Sequence, residues 1–219
     1  MEKMLYQPDF PAADVVESSQ TVVTSDWQRA LPTLRGDQVV LRELRTADAA
    51  SLFALLTTEE VARFISPPPS SVEGFERFIE WAHQQRTAGA YVCYAVTLRG
   101  FDTAIGIFQI RQHELSFRTA EWGFAIGSPF WGSGVFKDSA ELVLDFAFGV
   151  LGVHRLEARA AVANGRGNGA LMKVGAVQEA LLRRSLHLNG EHLDQVLYAM
   201  VADERRAKTR TANLAVRIH

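Results

Sequence analysis

The stretch Glu121-Trp-Gly-Phe-Ala-Ile-Gly-Ser-Pro-Phe-Trp-Gly-Ser-Gly-Val-Phe-Lys-Asp-Ser-Ala140 decides the fold. It opens as a strand, because Trp122, Phe124 and Ile126 alternate with Glu121, Gly123 and Ala125, the period-two pattern of a half-buried sheet. Gly127, Ser128 and Pro129 break that strand. A turn punctuated by Gly132 and Gly134 follows, and the spacing of Leu142, Val143, Phe146 and Ala147 predicts a helix from Val135 to Phe148. Strand, Gly-x-Gly turn and helix together make an anion cradle. Glycine lets the backbone come close to a phosphate, and a helix start offers unpaired N–H groups and a partial positive charge. Gly-x-Gly before a helix is also an ordinary turn, so the cradle needs support from the rest of the chain.

Outward from this stretch the chain alternates strands and helices. Before it, strands are expected at Gln38–Leu44, Tyr91–Leu98, Thr103–Arg111 and Thr119–Ile126, with Arg99-Gly-Phe-Asp102 suited to a hairpin. Thr46 or Asp48 is placed to cap a helix running to Leu56, and Thr58–Ile65 forms a second short helix stopped by Pro67, Pro68 and Pro69. Ser70 or Ser71 starts a third helix that ends near Gly89. After the long helix come a strand at His154–Val162, a short helix at Asn164–Val174, and a hairpin of Leu181–Leu188 with His192–Val201 around Asn189-Gly190. Residues 1–33 are punctuated by Pro8, Pro11 and Pro32 and predict an extension, although Trp27 is a candidate to dock on the domain. Residues 34–203 form one α+β domain, and the basic stretch 204–219 predicts a mobile tail.

Composition narrows the classes. The chain of 219 residues, 47% hydrophobic and 22% charged, is long enough for one domain with a substantial core. No apolar run approaches a membrane span, and a net charge of −2 gives no general attraction to nucleic acid or to an anionic membrane. The single cysteine, Cys93, excludes an internal disulfide and a cysteine-based metal cluster, which fits a cytoplasmic setting. Cys93 lies in an apolar strand without a neighbouring base and reads as a packed residue. His113 and His192 read as solvated loop residues and His154 as structural, and no pair has metal-ligand spacing.

The order of these elements resembles the GNAT superfamily of acyl-CoA-dependent N-acetyltransferases, and within it the ribosomal-protein N-terminal, or Rim-type, branch. Three stretches carry the resemblance: Leu41–Arg45 followed by Asp48-Ala-Ala; Glu121–Ile126 with Trp131-Gly-Ser-Gly134; and Leu151–Ala158 with Asn164 and Lys173-Val-Gly175. It implies a central mixed, mostly antiparallel twisted sheet of about six or seven strands flanked by helices. Four places depart from the family pattern. Phe136 replaces a small residue at the end of the turn, Gly167 a serine, Leu171 a tyrosine used near the leaving thiol, and Ala176 a phenylalanine.

The resemblance implies acetyl transfer from acetyl-CoA to a primary amine by direct attack, with no metal. The backbone of Phe124, Ala125 and Ile126 would hold the pantetheine arm. The turn Trp131, Gly132, Ser133, Gly134, Val135, Phe136 and Lys137 would hold the diphosphate, with Asn164 touching the donor or fixing its loop. Phe136 stands four residues before Ala140 and seven before Val143, so its ring is expected to turn into the core rather than into the groove. Glu121, on the strand face of Gly123 and Ala125, is the candidate base, acting directly or through a water. Reference pKa values of about 7.8 for an α-amine and about 10.4 for lysine leave far more of the former neutral at pH 7, which favours a protein or peptide N-terminus as acceptor. A small amine such as an antibiotic or polyamine, and a silent acyl-CoA-binding module, are the alternatives. Neither Leu171 nor a neighbour supplies a general acid, and a thiol of pKa about 8.5 leaves without one. The chain is expected to act as a monomer or homodimer.

Overall fold

The computed structural model describes residues 26–113, 117–188 and 190–205. Most of the expected N-terminal extension and of the expected mobile tail therefore lies outside the described residues, as does Asn189 of the hairpin turn. Eight strands form one sheet in the order β1-β2-β3-β4-β5-β6-β8-β7. They are β1 (Leu34–Arg35), β2 (Val39–Glu43), β3 (Tyr91–Leu98), β4 (Gly106–Gln112), β5 (Thr119–Ile126), β6 (Arg155–Ala161), β7 (Val177–Leu188) and β8 (Glu191–Val201). Among the described strands only β5 and β6 pair in parallel. One strand more than the expected six or seven arises from the two-residue β1, too short to show a period. In addition, β7 starts four residues before the predicted Leu181, as an exposed edge strand whose register slips at Gln178–Ala180.

Helices cover both faces of the sheet. On one side lie α1 (Ala49–Leu56), α2 (Glu59–Ala62) and α3 (Val72–Thr87), where Leu52, Leu56, Phe75 and Ile79 pack on Tyr91, Cys93 and Ala95. On the other lies α4 (Val135–Gly149), burying Val135, Ala140, Val143, Leu144, Phe146 and Ala147 against Tyr94, Phe108 and Trp122. Full burial of each such large side chain stabilises by about 1.5–3 kcal/mol. The central strand β3 is covered on both faces, which is why Tyr91–Val96 is apolar without alternation. Helix α5 (Gly165–Lys173) stands at the far end of β6.

Three local details correct or extend the expectations. Asp48 does not cap α1 with its side chain. Its carboxylate takes the Arg45 N–H at 2.8 Å and both Arg42 terminal nitrogens at 2.8 and 2.7 Å, while Arg42 also reaches Asp102 in the β3–β4 turn. Hydrogen bonding to Asp48 outweighs burial there and holds the Arg42 guanidinium above its ordinary pKa. Trp27 docks edge-to-face on Phe117, with ring centroids 5.5 Å apart, and Leu31 is buried in the core. Arg205, read as part of the tail, instead bonds Glu141 and Asp145 of α4 at 2.9 and 2.7 Å.

Candidate active site

The site is built where β5 and β6 part. They pair only from Thr119–Arg155 to Glu121–Glu157, whereas β6 stays on β8 as far as Ala161–Gln195. In the antiparallel ladder of β4 and β5, alternate residues turn both backbone groups to the same neighbour. His113 N–H donates to Thr119 C=O and Gly127 N–H to Ile105 C=O, so the odd-numbered residues of β5 face β4. The even-numbered Trp122, Phe124 and Ile126 therefore turn their backbone groups to the side that β6 has left. The Ile126 carbonyl accepts from Trp131 Nε1 at 2.8 Å. Ala125, predicted to bind a donor through its backbone, has those groups facing Ile107 of β4 and meets the cleft with its methyl instead. A cleft of about 720 Å³ opens here, and Glu121, Phe124, Ala125 and Asn164 line it. Ile126 and Trp131–Lys137 are not in its wall.

The turn beyond β5 has the geometry that its glycines suggested. Gly132 and Gly134 have φ of 77° and 92°, in the left-handed region that favours glycine. Gly134 gives α4 no side-chain cap. Asp138 N–H is the first to find an intrahelical acceptor, the Gly134 carbonyl, so the N–H groups of Val135, Phe136 and Lys137 have none within the helix. The Val135 side chain is buried, that of Lys137 is exposed, and Ser133 Oγ donates to the Phe130 carbonyl. The Phe136 ring turns inward as expected, half-buried against Phe124 and Phe108 with centroids 4.6 and 5.9 Å away.

Across the cleft, Asn164 caps α5 by accepting the Gly167 N–H at 2.9 Å. A Cβ at residue 167 would stand 2.6 Å from Asn164 Nδ2, so a larger residue there would have the Asn164 amide shift. The three glycines of the segment weaken a helix locally, yet the expected helix forms. Asn168 Nδ2 donates to the carbonyls of Ala161 and Asn164, and its Oδ1 accepts from Tyr198 of β8, so tertiary bonds offset the weak local propensity. Arg166 reaches over the Trp131 ring, 4.2 Å from its centroid, and joins the two helix starts. Leu171 is buried and also lines the cleft.

Glu121 lies on the same face as Gly123 and Ala125, its side chain 20% exposed. Arg111, its cross-strand partner, donates to it at 2.9 Å, and His113 Nε2 and Arg159 Nη1 stand 3.8 Å away. His113 is exposed in the bend just past β4, the solvated loop residue expected from sequence, and stands 3.8 Å from both Glu121 and Glu157. Tyr91 on the cleft wall donates to Gln109 Oε1, and burial raises its hydroxyl pKa well above the usual range, which makes it a poor acid. Burial pushes the Cys93 thiol up to about 12, which leaves it a protonated, packed residue. Among the described residues no group of His, Cys, Asp and Glu is arranged to hold a metal ion, and no helix is long and apolar enough to cross a membrane. Arg111 and Gln109 were missed from sequence. The alternation along the strand gives the face Arg111 takes but not the β4–β5 register that sets it opposite Glu121.

With this geometry in view, the chain was compared with known proteins. Residues 38–177 match the acetyltransferase (GNAT) domain family. The chain belongs to that family and is an N-acetyltransferase, of the class that uses acetyl-CoA as donor. It is 27% identical to "Uncharacterized N-acetyltransferase YoaA" of Bacillus subtilis, over 78% of this chain and 97% of that one. It is 25% identical to "Putative ribosomal N-acetyltransferase YdaF" of the same organism, over 77% and 93%. Among solved structures, RimJ of Mycobacterium smegmatis in complex with CoA-disulfide shares the fold with a TM-score of 0.71, at 23% identity over 79% of this chain and 87% of that one.

Proposed function

We propose that the chain acetylates the α-amine of a protein or peptide N-terminus, within a domain spanning residues 34–203. The observation that carries this reading is the place of Glu121, on the cleft wall one residue before β5 loses its partner strand. Acetyl-CoA supplies the acetyl group. The backbone groups of Phe124 and Ile126 are turned to where a pantetheine arm would pair as a missing strand does, and a donor N–H there stabilises charge developing on the carbonyl oxygen. The three free N–H groups of Val135–Lys137 fit a diphosphate, with Lys137 adding charge. In the transfer the amine nitrogen bonds the acetyl carbon, the carbon–sulfur bond breaks and the thiolate leaves. The amine proton passes to Glu121, directly or through a water.

An α-amine is neutral at pH 7 far more often than a lysine, which favours it as the acceptor. The naming of YdaF as a putative ribosomal N-acetyltransferase supports a protein acceptor. The test is thiol release from acetyl-CoA with short peptides as acceptors. Glu121→Gln is expected to lower turnover about a hundredfold or more. Acetyl-CoA at a hundred times its Kd should still stabilise both proteins by about 2.7 kcal/mol. An unchanged turnover would leave Glu121 as a structural partner of Arg111, and no release with any peptide would favour a small-amine acceptor or a silent module.

A further inference from the structure

We infer that the acceptor is an α-amine whose own first side chain is large and apolar, seated on an aromatic wall beside Glu121; this rests on the α-amine reading above. The register places Tyr91, Arg111 and Glu121 in one row across β3, β4 and β5. At about 4.8 Å per strand, Tyr91 stands about 10 Å from Glu121, within the span of an amine and one bulky side chain. Next to this row, β5 presents only Gly123 and Ala125 to the same face, so the sheet leaves room above it. The opposite wall is apolar. Phe78 stacks on Trp81 with centroids 6.1 Å apart, Trp81 leans on Tyr91 at 4.9 Å, and Phe64 and Pro67 continue the surface.

Trp81 is 43% exposed, and among the described large apolar residues that are exposed it is the one that lines the cleft. A tryptophan face left open beside a catalytic carboxylate is apolar surface for a substrate group to cover. A polar contact completes the seat. Gln109 Oε1 is taken by Tyr91, which turns Nε2 toward Gly123, where a Cβ would stand 3.2 Å from it. That amide is placed to donate to the carbonyl that follows the α-amine, whether of a peptide or of a free amino acid.

The experiment measures initial acetylation rates with peptides identical except for a first residue of Phe, Leu, Ala, Ser, Asp or Lys, together with free L-phenylalanine. Acetyl-CoA binding is followed separately by calorimetry. The Phe and Leu peptides are expected to exceed the Ala and Ser peptides in kcat/KM by about tenfold or more. Trp81→Ala, at an exposed position, should raise KM for the Phe peptide about tenfold and so remove most of its advantage over the Ala peptide. Acetylation of free L-phenylalanine as fast as the peptide would identify an amino acid as the source of the amine, and acetylation of the peptide alone a polypeptide; either supports the inference. A preference for Ala or Ser, acetylation without preference, or an equal effect of Trp81→Ala on all peptides would overturn it while leaving the α-amine reading intact. Acetyl-CoA binding without acetylation of any probe would overturn both.

Discussion

The helices α4 and α5 both begin beside the parting of β5 and β6, and they begin in opposite ways. α5 starts on Asn164, whose side chain takes the Gly167 N–H, so part of its first turn is satisfied from within. α4 starts on Gly134 with no side-chain cap, and the N–H groups of Val135, Phe136 and Lys137 lack intrahelical acceptors. The first turn of α4 is held by packing of the Phe136 ring against Phe124 and Phe108 and by the bonds of Asp138 to the chain between β1 and β2. A capped start is a structural joint, whereas an uncapped start held by packing stays available to an anion. The contrast suggests why Phe136 is aromatic here: its ring does for α4 what Asn164 does for α5 and occupies no N–H group.

The largest effect expected from breaking this arrangement is at Phe136. Phe136→Ala should destabilise the fold by about 2–3 kcal/mol in chemical denaturation, below the about 3–5 kcal/mol of a fully enclosed ring because this one is half-buried. Acetyl-CoA affinity should stay within a few-fold, since the contacts proposed are backbone N–H groups; tighter binding with little lost stability would place the ring in the groove. Next comes Gly134→Ala, which forces a left-handed φ of 92° on a residue with a side chain and sets its Cβ 2.8 Å from Gln38 Nε2. A cost of about 1–2 kcal/mol should appear in the melt, and calorimetry should show acetyl-CoA affinity falling about tenfold. Asn164→Ala removes the cap and should cost about 1 kcal/mol with donor affinity nearly unchanged. A loss of affinity as large as that at Gly134 would dissolve the contrast between the helices. The smallest effect is a control away from both. With its thiol pushed up to about 12 by burial, Cys93 should react with a disulfide reagent only as fast as the chain opens.

The fold was legible where local pattern and packing agree. The alternation of Glu121–Ile126 matched β5, and the spacing of Val143, Phe146 and Ala147 marked the buried face of α4. It was less legible where tertiary contacts override local preference. The helix at Asn164–Val174 was expected, but what holds it against Gly165, Gly167 and Gly169 was not, since Asn168 ties α5 to β6 and, through Tyr198, to β8. The two-residue β1 and the exposed start of β7 carry no period to detect. Glu121 could be singled out by the parity of its strand. Its partners Arg111, His113 and Arg159 come from β4, from the residue just past it and from β6, and their meeting depends on a register that spacing alone does not state. The aromatic wall was hidden for the same reason, since Trp81 and Tyr91 are joined only when α3 lies on β3.

Asp138 carries a carboxylate one turn into α4, near the end proposed to receive a doubly charged diphosphate. It is turned into the chain between β1 and β2, where the N–H groups of Asp37, Gln38 and Val39 converge on it at 3.2, 2.7 and 3.1 Å. That hairpin therefore acts as an electrostatic shield as well as the edge of the sheet. Were it excised, the bare charge would oppose the incoming phosphates, and the opposition would be visible as a weaker donor affinity at low ionic strength than that of the intact chain. In the intact chain the hairpin at the sheet's first edge and the start of α4 behave as one unit, so the solvent exchange of those three amides would report on how firmly the donor site is held.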